Sequence, residues 1–302
     1  NGTAGIFAPE VLNMLGIEVI PLHCNLDASF PNYNPNPEDL KMLKDLGKHV
    51  LAHKADIGFA FDGDGDRVGV VDNNGHEIFA DKIGLLIARN LATEVSNSKF
   101  VIDVKSTSLF STDEILKKNN SEIIFWKTGH SYIKRKTSDI NATAGFERSG
   151  HFFFNNPIGR GYDDGILSAL EILKILDKNE NQTISDLYNE LTITFSSPTM
   201  SPKCPEESKY KLVEKIEEIF QHKKKNNETV AGQKILSILT VNGVRIHLED
   251  GSWGLVRASS NSPNLVVVCE STISEERMKE IFNDLNNELM KFNEIGEYDQ
   301  KI

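Results

Sequence analysis

Asp62, Asp64 and Asp66 alternate with Gly63 and Gly65 after an apolar run, and Arg67 follows at once, in the stretch FAFDGDGDRVGV. Three carboxylates this close repel one another unless a cation lies among them. The calcium loop D-x-[DN]-x-[DN]-G, with glutamate at position twelve, is the obvious comparison. Counted from Asp62, position six is Arg67 and position twelve is Asn73, so that reading fails twice. A hard-oxygen set without a bidentate glutamate suits Mg2+, which prefers octahedral geometry and keeps positions open for water or a phosphate oxygen. Gly63 and Gly65 let the backbone turn sharply enough to aim the side chains at one point. A plain polar turn uses the same residue types, but it gains nothing from three mutually repelling acids.

Such a loop needs a frame, and the flanking sequence supplies an α/β one. The opening residues read as a glycine-rich loop, a short helix over 11–15 and a strand over 17–22. A loop of this kind ordinarily follows a strand, so the chain is expected to begin inside a βαβ unit and to be a fragment of a longer protein. Leu40, Leu43, Val50 and Leu51 carry helical periodicity before a strand at 57–61, which puts the acidic loop at a strand's C-terminal end. Open α/β sheets place ligands there. VGVVDNNGHEIFA reads as a hairpin through Asn74-Gly75. A second alternating set follows: helix DKIGLLIARNLATEV, strand FVIDVK ending in Lys105, helix TDEILKKN, strand EIIFW, loop KTGHS and a further helix. Strand TAGFE, turn RSG, the apolar HFFFN and helix DDGILSALEILKIL complete it. Beyond the Pro- and Ser-rich SSPTMSPKCPEE the pattern becomes a helix at 208–222, three or four strands within 235–269 and a helix at 275–292. HKKKNNE reads as a solvated turn. The expected fold class is thus two tandem α/β domains with mixed sheets flanked by helices, plus a C-terminal α+β domain with an antiparallel sheet. Boundaries fall at 1–78, 79–196 and 197–302.

Composition narrows the partners. With 33 Lys and Arg against 44 Asp and Glu, a net charge of -11 argues against nucleic acid as a partner. A small anion remains possible where basic groups converge. Cys24, Cys204 and Cys269 are odd in number and far apart, which fits a reducing cytoplasm better than a disulfide framework or a thiolate metal site. No apolar run approaches the roughly 20 residues that span a bilayer, and no signal-peptide pattern opens the chain.

With the acidic loop read, the sequence resembles the α-D-phosphohexomutase family, most closely its bacterial phosphomannomutase/phosphoglucomutase branch. Three further stretches carry the likeness in the family's order. KTGHSYIK resembles the loop of its third domain, FERSGHFFF its sugar loop G-E-x-S-G-H, and WGLVRASSNSPNLVVV the phosphate loop of its fourth domain. The resemblance implies an intramolecular phosphotransferase that interconverts hexose 1- and 6-phosphates of glucose and mannose through a phosphoserine and a 1,6-bisphosphate. It also implies that this serine lies in an N-terminal domain of the same chain, which these residues lack, so the fragment alone is expected to be inactive.

Residue by residue, the resemblance gives Asp62, Asp64 and Asp66 to Mg2+, and makes Arg67, Lys105, His130 and His151 catalytic. Lys105, Thr128, Gly129, His130, Glu147, Ser149 and His151 become substrate contacts, with Glu147 and Ser149 on the sugar's O3 and O4. Such a grip lets the sugar bind in two orientations and scarcely separates glucose from mannose, which differ only at C2. Arg257, Ser259, Ser260 and Asn261 become the cradle for the idle phosphate. Considered alone, a strand-end lysine such as Lys105 is a surface residue, and a lone loop histidine such as His130 is inert. Two departures stand out. The family reads R-x-S-N-T-x-P where this chain has Arg257-Ala258-Ser259-Ser260-Asn261-Ser262-Pro263, and Phe146 stands where many relatives have glycine, a residue expected to point into the core. Two alternatives stay open: a phosphoglucosamine mutase, or a magnesium- and sugar-phosphate-binding module without catalysis.

Overall fold

A computed structural model describes the backbone of residues 1–302 and every side chain except that of Leu40, which lies outside the described residues. By contacts the chain forms two compact units, one of residues 1–125 and 129–191, the other of 126–128 and 192–302.

The first unit carries two sheets. Helices α1 (Ala4–Met14) and α2 (Leu40–His53) precede strands β1 (Ile57–Phe61), β2 (Val68–Asp72) and β3 (Glu77–Ile78). These strands form an antiparallel sheet in the order β1-β2-β3, with Phe61 opposite Val68 flanking the acidic loop. The Asn74-Gly75 turn joins β2 to β3, Gly75 at φ +78, as the hairpin reading requires. Met42, Leu43 and Val50 of α2 cover this sheet by burying against Ala60 and Val71.

The second sheet follows α3 (Ala80–Glu94) and contains β4 (Lys99–Asp103), β5 (Glu122–Trp126), β6 (Ala144–Phe146) and β7 (Phe152–Phe154) in the order β5-β4-β6-β7. Between them lie α4 (Leu109–Thr112), α5 (Glu114–Lys118) and α6 (His130–Asp139); α7 (Gly165–Lys178) and α8 (Ile184–Asn189) come after. β6 runs parallel to β4 and antiparallel to β7, so this sheet is mixed. Phe146 is fully buried, its ring packed against those of Phe100, Phe110, Phe152 and Phe154. The departure from glycine is therefore absorbed by the core, as expected.

In the second unit, β8 (Phe195–Ser196), α9 (Lys209–Lys225), β9 (Thr229–Val230), β10 (Gln233–Leu239), β11 (Val244–Leu248), β12 (Trp253–Ala258), β13 (Leu265–Ser271) and α10 (Glu275–Leu289) form an α+β fold. Its six strands run antiparallel in the order β8-β13-β12-β11-β10-β9. Leu212, Ile216 and Phe220 of α9 and Ile281 and Leu285 of α10 bury against the sheet's apolar residues.

Several elements differ from the sequence reading. The helix expected at 11–15 begins at Ala4 and includes Pro9; Ala4, Ala8 and Leu12 make a buried stripe, one turn apart, and the helix touches α7. Residues 17–22 join no β-ladder among the described residues, although side chains from Ile17 to Ile20 alternate half-buried and exposed as a strand's would. They instead border a cleft of about 1070 Å³, whose other walls are β1 and Leu170, Leu173 and Leu176 of α7. The presumed turn HKKKNNE is helical through Lys225, since its lysines place their charge in the last turn of α9. Lys105 lies two residues past the end of β4 instead of ending it. α8 was not foreseen, though its signature is local: Thr183 and Asp186 form a reciprocal capping box.

Candidate active site

The acidic loop folds around its first aspartate. Asp62 Oδ1 accepts the amides of Gly65 (3.0 Å) and Arg67 (3.2 Å), while Oδ2 takes Arg67 Nε at 2.7 Å. Arg67 Nη1 continues to Asn36 Oδ1 at 3.1 Å, so the guanidinium is braced on two sides. Burial pushes the Asp62 carboxyl up, but the hydrogen bonds and charge of Arg67 outweigh it and hold the acid below its usual range. Gly65 takes φ +82, a conformation that glycine adopts without strain; Gly63 has no positive φ and so contributes less to the turn than expected.

Asp64 is exposed and Asp66 half-buried, and one carboxylate oxygen from each of Asp62, Asp64 and Asp66 lies within 4.8 Å of the other two. Asp66 Oδ1 is buried without a hydrogen-bond partner. Burial, then the neighbouring charges of Asp62 and Asp64, push its carboxyl up to about 6 against the opposing pull of His151. An orphaned oxygen among crowded acids is the environment a divalent cation relieves, and an all-carboxylate donor set fits a hard ion such as Mg2+.

A second loop, joining β6 to β7, meets the first. Glu147 is buried; its Oε1 accepts the Gly129 amide at 2.5 Å and its Oε2 lies 2.9 Å from His151 Nδ1. Ser149 Oγ is 3.0 Å from the same nitrogen and donates to Glu147 Oε2 at 3.4 Å. Burial disfavours charge on both Glu147 and His151, yet their mutual hydrogen bond prevails, lowering the acid's pKa and raising the imidazole's. His151 Nε2 then lies 3.5 Å from Asp66 Oδ1. The backbones are stitched as well: Arg67 and His151 form a β-bridge, Val68 donates to Gly150 O at 3.2 Å, and Gly165 donates to Gly65 O at 3.1 Å. The acidic loop and the β6–β7 loop are one structure.

His130 opens α6, and its ring stacks on that of His151 with centroids 5.7 Å apart. Lys105 is buried, its ammonium 3.8 Å from Glu38 Oε1. Arg148, which the sequence did not single out, donates to Lys105 O at 3.3 Å and lies over the Phe79 ring at 5.4 Å, supporting the lysine from behind. Asp62, Asp64, Asp66, Arg67, Gly129, His130, Glu147, Ser149 and His151 are thus drawn together within the first unit.

Thr128 and the four phosphate-loop candidates belong to the second unit. The Thr128 amide donates to Asn242 Oδ1 at 3.2 Å. Arg257, the last residue but one of β12, is buried and donates from Nη1 to Ala258 O at 2.9 Å. Ser259 Oγ is 3.0 Å from Ser262 Oγ and 3.4 Å from the Asn261 amide, while Ser260 and Asn261 are exposed. Fully buried Lys209, also unforeseen, donates to Ser262 O at 3.1 Å and to Glu206 at 2.7 Å, tying α9 to this loop.

An α/β frame that sets a cation-type acid cluster against a carboxylate–histidine pair narrows the class, and comparison with known proteins then fixes the family. Models for phosphoglucomutase/phosphomannomutase alpha/beta/alpha domain II, alpha/beta/alpha domain III and the C-terminal domain match residues 1–75, 79–195 and 203–288. The phosphomannomutase/phosphoglucomutase of Pseudomonas aeruginosa is 37% identical over 286 residues, which are 94% of this chain and 58% of that protein. A phosphoglucomutase of Neisseria meningitidis serogroup A is 36% identical over 90% of this chain and 56% of its own length. Among solved structures, a phosphoglucomutase/phosphomannomutase family protein of Burkholderia thailandensis superposes with TM-score 0.83 at 31% identity, covering 96% of this chain and 58% of that one. The chain belongs to the α-D-phosphohexomutase family. It spans somewhat over half the length of the relatives it matches. No helix of the described residues is long and apolar enough to cross a membrane.

Proposed function

We propose that this chain supplies the metal-, sugar- and phosphate-binding parts of a phosphohexomutase that interconverts the 1- and 6-phosphates of glucose and mannose. The observation that carries the proposal is the union of two loops: the Asp62–Asp64–Asp66 cluster and the Glu147–Ser149–His151 trio are bridged at Arg67 and His151, with Asp66 and His151 3.5 Å apart. A group bound by the second loop has its reacting end beside the first. Asp62, Asp64 and Asp66 would hold Mg2+, which would supply neutralising charge for phosphoryl transfer. Arg67, fixed by Asp62 and Asn36, adds a cation that does not move.

Glu147 and Ser149 bind adjacent sugar hydroxyls. Glu147 also holds His151 by Nδ1, which leaves Nε2 to exchange a proton with a hydroxyl or phosphate. Lys105, Thr128, Gly129 and His130 complete the sugar contacts. Arg257, Ser259, Ser260 and Asn261 take the phosphate that is not reacting. The phosphoryl-carrying serine is assigned to a separate domain of the full-length enzyme, and the domain limits 1–78, 79–196 and 197–302 belong to the same proposal.

The test is turnover by the full-length enzyme with Mg2+ and a catalytic amount of glucose 1,6-bisphosphate. Conversion of both glucose 1-phosphate and mannose 1-phosphate is expected, with residues 1–302 alone inactive. Faster turnover of glucosamine 6-phosphate than of mannose 1-phosphate would replace the assignment with a phosphoglucosamine mutase, and magnesium or sugar-phosphate binding without turnover would leave only a binding module.

A further inference from the structure

Asp163 has no role in the account so far, yet it faces the site. Two aspartates precede α7, and the second, Asp164, is the cap: its Oδ1 accepts the Leu167 amide at 2.9 Å. The first is turned inward. Its carboxylate, only 8% exposed, places Oδ1 3.3 Å from Lys134 Nζ and Oδ2 3.4 Å from His130 Nδ1. Lys134 and His130 are one turn apart on α6, so a single acid meets both. The ammonium of Lys134 neutralises the acid at Oδ1, while Oδ2 is buried with no hydrogen bond formed, which makes a donor there favourable; His130 Nδ1 is 3.4 Å from it, and Asp163 also offers a carboxylate oxygen within 4.8 Å of Asp66 and His151.

We propose that Asp163 is a positioning residue that fixes the His130 ring through Nδ1–H, so that Nε2 is the nitrogen offered to the sugar phosphate. The proposal rests on the assignment of His130 to the substrate made above. Asp163 is well placed for it because its backbone is anchored to both loops: it bridges Phe153 of β7, and two residues on Gly165 binds Gly65 O at 3.1 Å. His130, by contrast, opens a helix with its side chain 52% exposed, and needs an external hold. Stacking on His151 restrains the ring's tilt, but only a polar partner selects which nitrogen carries the proton. The Ser131 hydroxyl, 3.2 Å from Nε2, is able to donate to a lone pair there.

Asp163→Ala and His130→Ala, made singly and together in the full-length enzyme, test the dependence of one residue on the other. Asp163→Ala is expected to lower kcat at least about 10-fold with little change in KM, and to cost less than about twofold once His130 is already alanine. Equal losses in both backgrounds, or no loss in either, would overturn the proposal. If the alanine variant does not fold, the isosteric Asp163→Asn is expected to show a smaller loss that likewise vanishes in the His130→Ala background, and a loss that persists there counts against it. Nitrogen-15 spectra of His130 in the 302-residue chain, recorded at about pH 8.5 where an ordinary imidazole is neutral, need no turnover. They are expected to show the Nδ1–H tautomer in the wild type and its loss on removal of Asp163. An unchanged tautomer refutes the positioning role, whereas a missing mutase activity alongside the expected spectra refutes only the assignment of function.

Discussion

The junction of the two loops passes through Gly150, and a single methyl group there tests whether it is as rigid as the geometry requires. Gly150 sits at φ +96, and a Cβ built on it would lie 2.7 Å from the carbonyl oxygen of Val68. The neighbouring strand cannot simply withdraw, because Val68 also donates its amide to Gly150 O at 3.2 Å. Gly150→Ala therefore carries two costs: about 1–2 kcal/mol for an L-residue at positive φ and about 1 kcal/mol for the hydrogen bond broken when the strands separate. A sum of about 2–3 kcal/mol corresponds to a fall of roughly 4–12 °C in the melting temperature of a unit of this size. Gly16 supplies the control, since it has φ +80 with nothing within 4 Å of its Cβ position. Gly16→Ala should show the backbone cost alone, about 1–2 kcal/mol. The assay is urea unfolding of the 302-residue chain, following the first unit. If the two variants prove equally stable, the Val68 clash is relieved at no cost, and the claim that the acidic loop and the β6–β7 loop form one unit loses its support.

Other expected outcomes are as specific. His247 is held neutral by burial and by the Arg245 guanidinium, its pKa pushed down to about 3. The unfolded chain binds that proton near pH 6.5 and the folded one does not, so stability is intact above about 6.5 and declines as pH falls towards 3. The second unit should lose about 2 kcal/mol between pH 7 and 5, and His247→Gln should remove most of that loss in urea titrations at the two pH values; an unaltered pH dependence would contradict it. Glu147→Gln should lower kcat/KM for glucose 1-phosphate and mannose 1-phosphate by the same factor, about 10- to 100-fold, and a loss confined to one sugar would deny recognition at shared hydroxyls. Asp64→Ala and Asp66→Ala should each weaken Mg2+ binding measured by calorimetry on the 302-residue chain, while chelation should stop turnover of the full-length enzyme. Lys209→Met should raise KM more than it lowers kcat, because it frees Ser262 without touching the β6–β7 loop; a kcat effect alone would speak against that anchor.

How far the sequence announces this structure depends on whether the deciding contact is local. The strand at 57–61 is legible because its alternating pattern ends in a run of Asp and Gly, and the hairpin at Asn74-Gly75 because its turn residues select it. α1 is not legible from its Gly and Pro, since burial of Ala4, Ala8 and Leu12 and contact of the helix with α7, more than 150 residues away, override their propensities. The aspartate triad declares itself by spacing, but its union with His151 is a backbone bridge between distant loops and leaves no local trace. Asp163 illustrates the limit well: its sequence context shows a helix cap, and only the fold reveals that Asp164 does the capping and leaves its neighbour for the histidine.

The cleft beside β1 bears on how this polypeptide behaves at the bench. Among the described residues β1 pairs only with β2, so its other edge, which borders the cleft, offers peptide N–H and C=O groups along a partly hydrophobic wall. Any passing extended segment, including one from another copy, finds a template there. At millimolar concentration the 302-residue chain should accordingly oligomerise through that margin, and a lysine or proline introduced into residues 17–22 should keep it monomeric more effectively than the same change on the helices opposite.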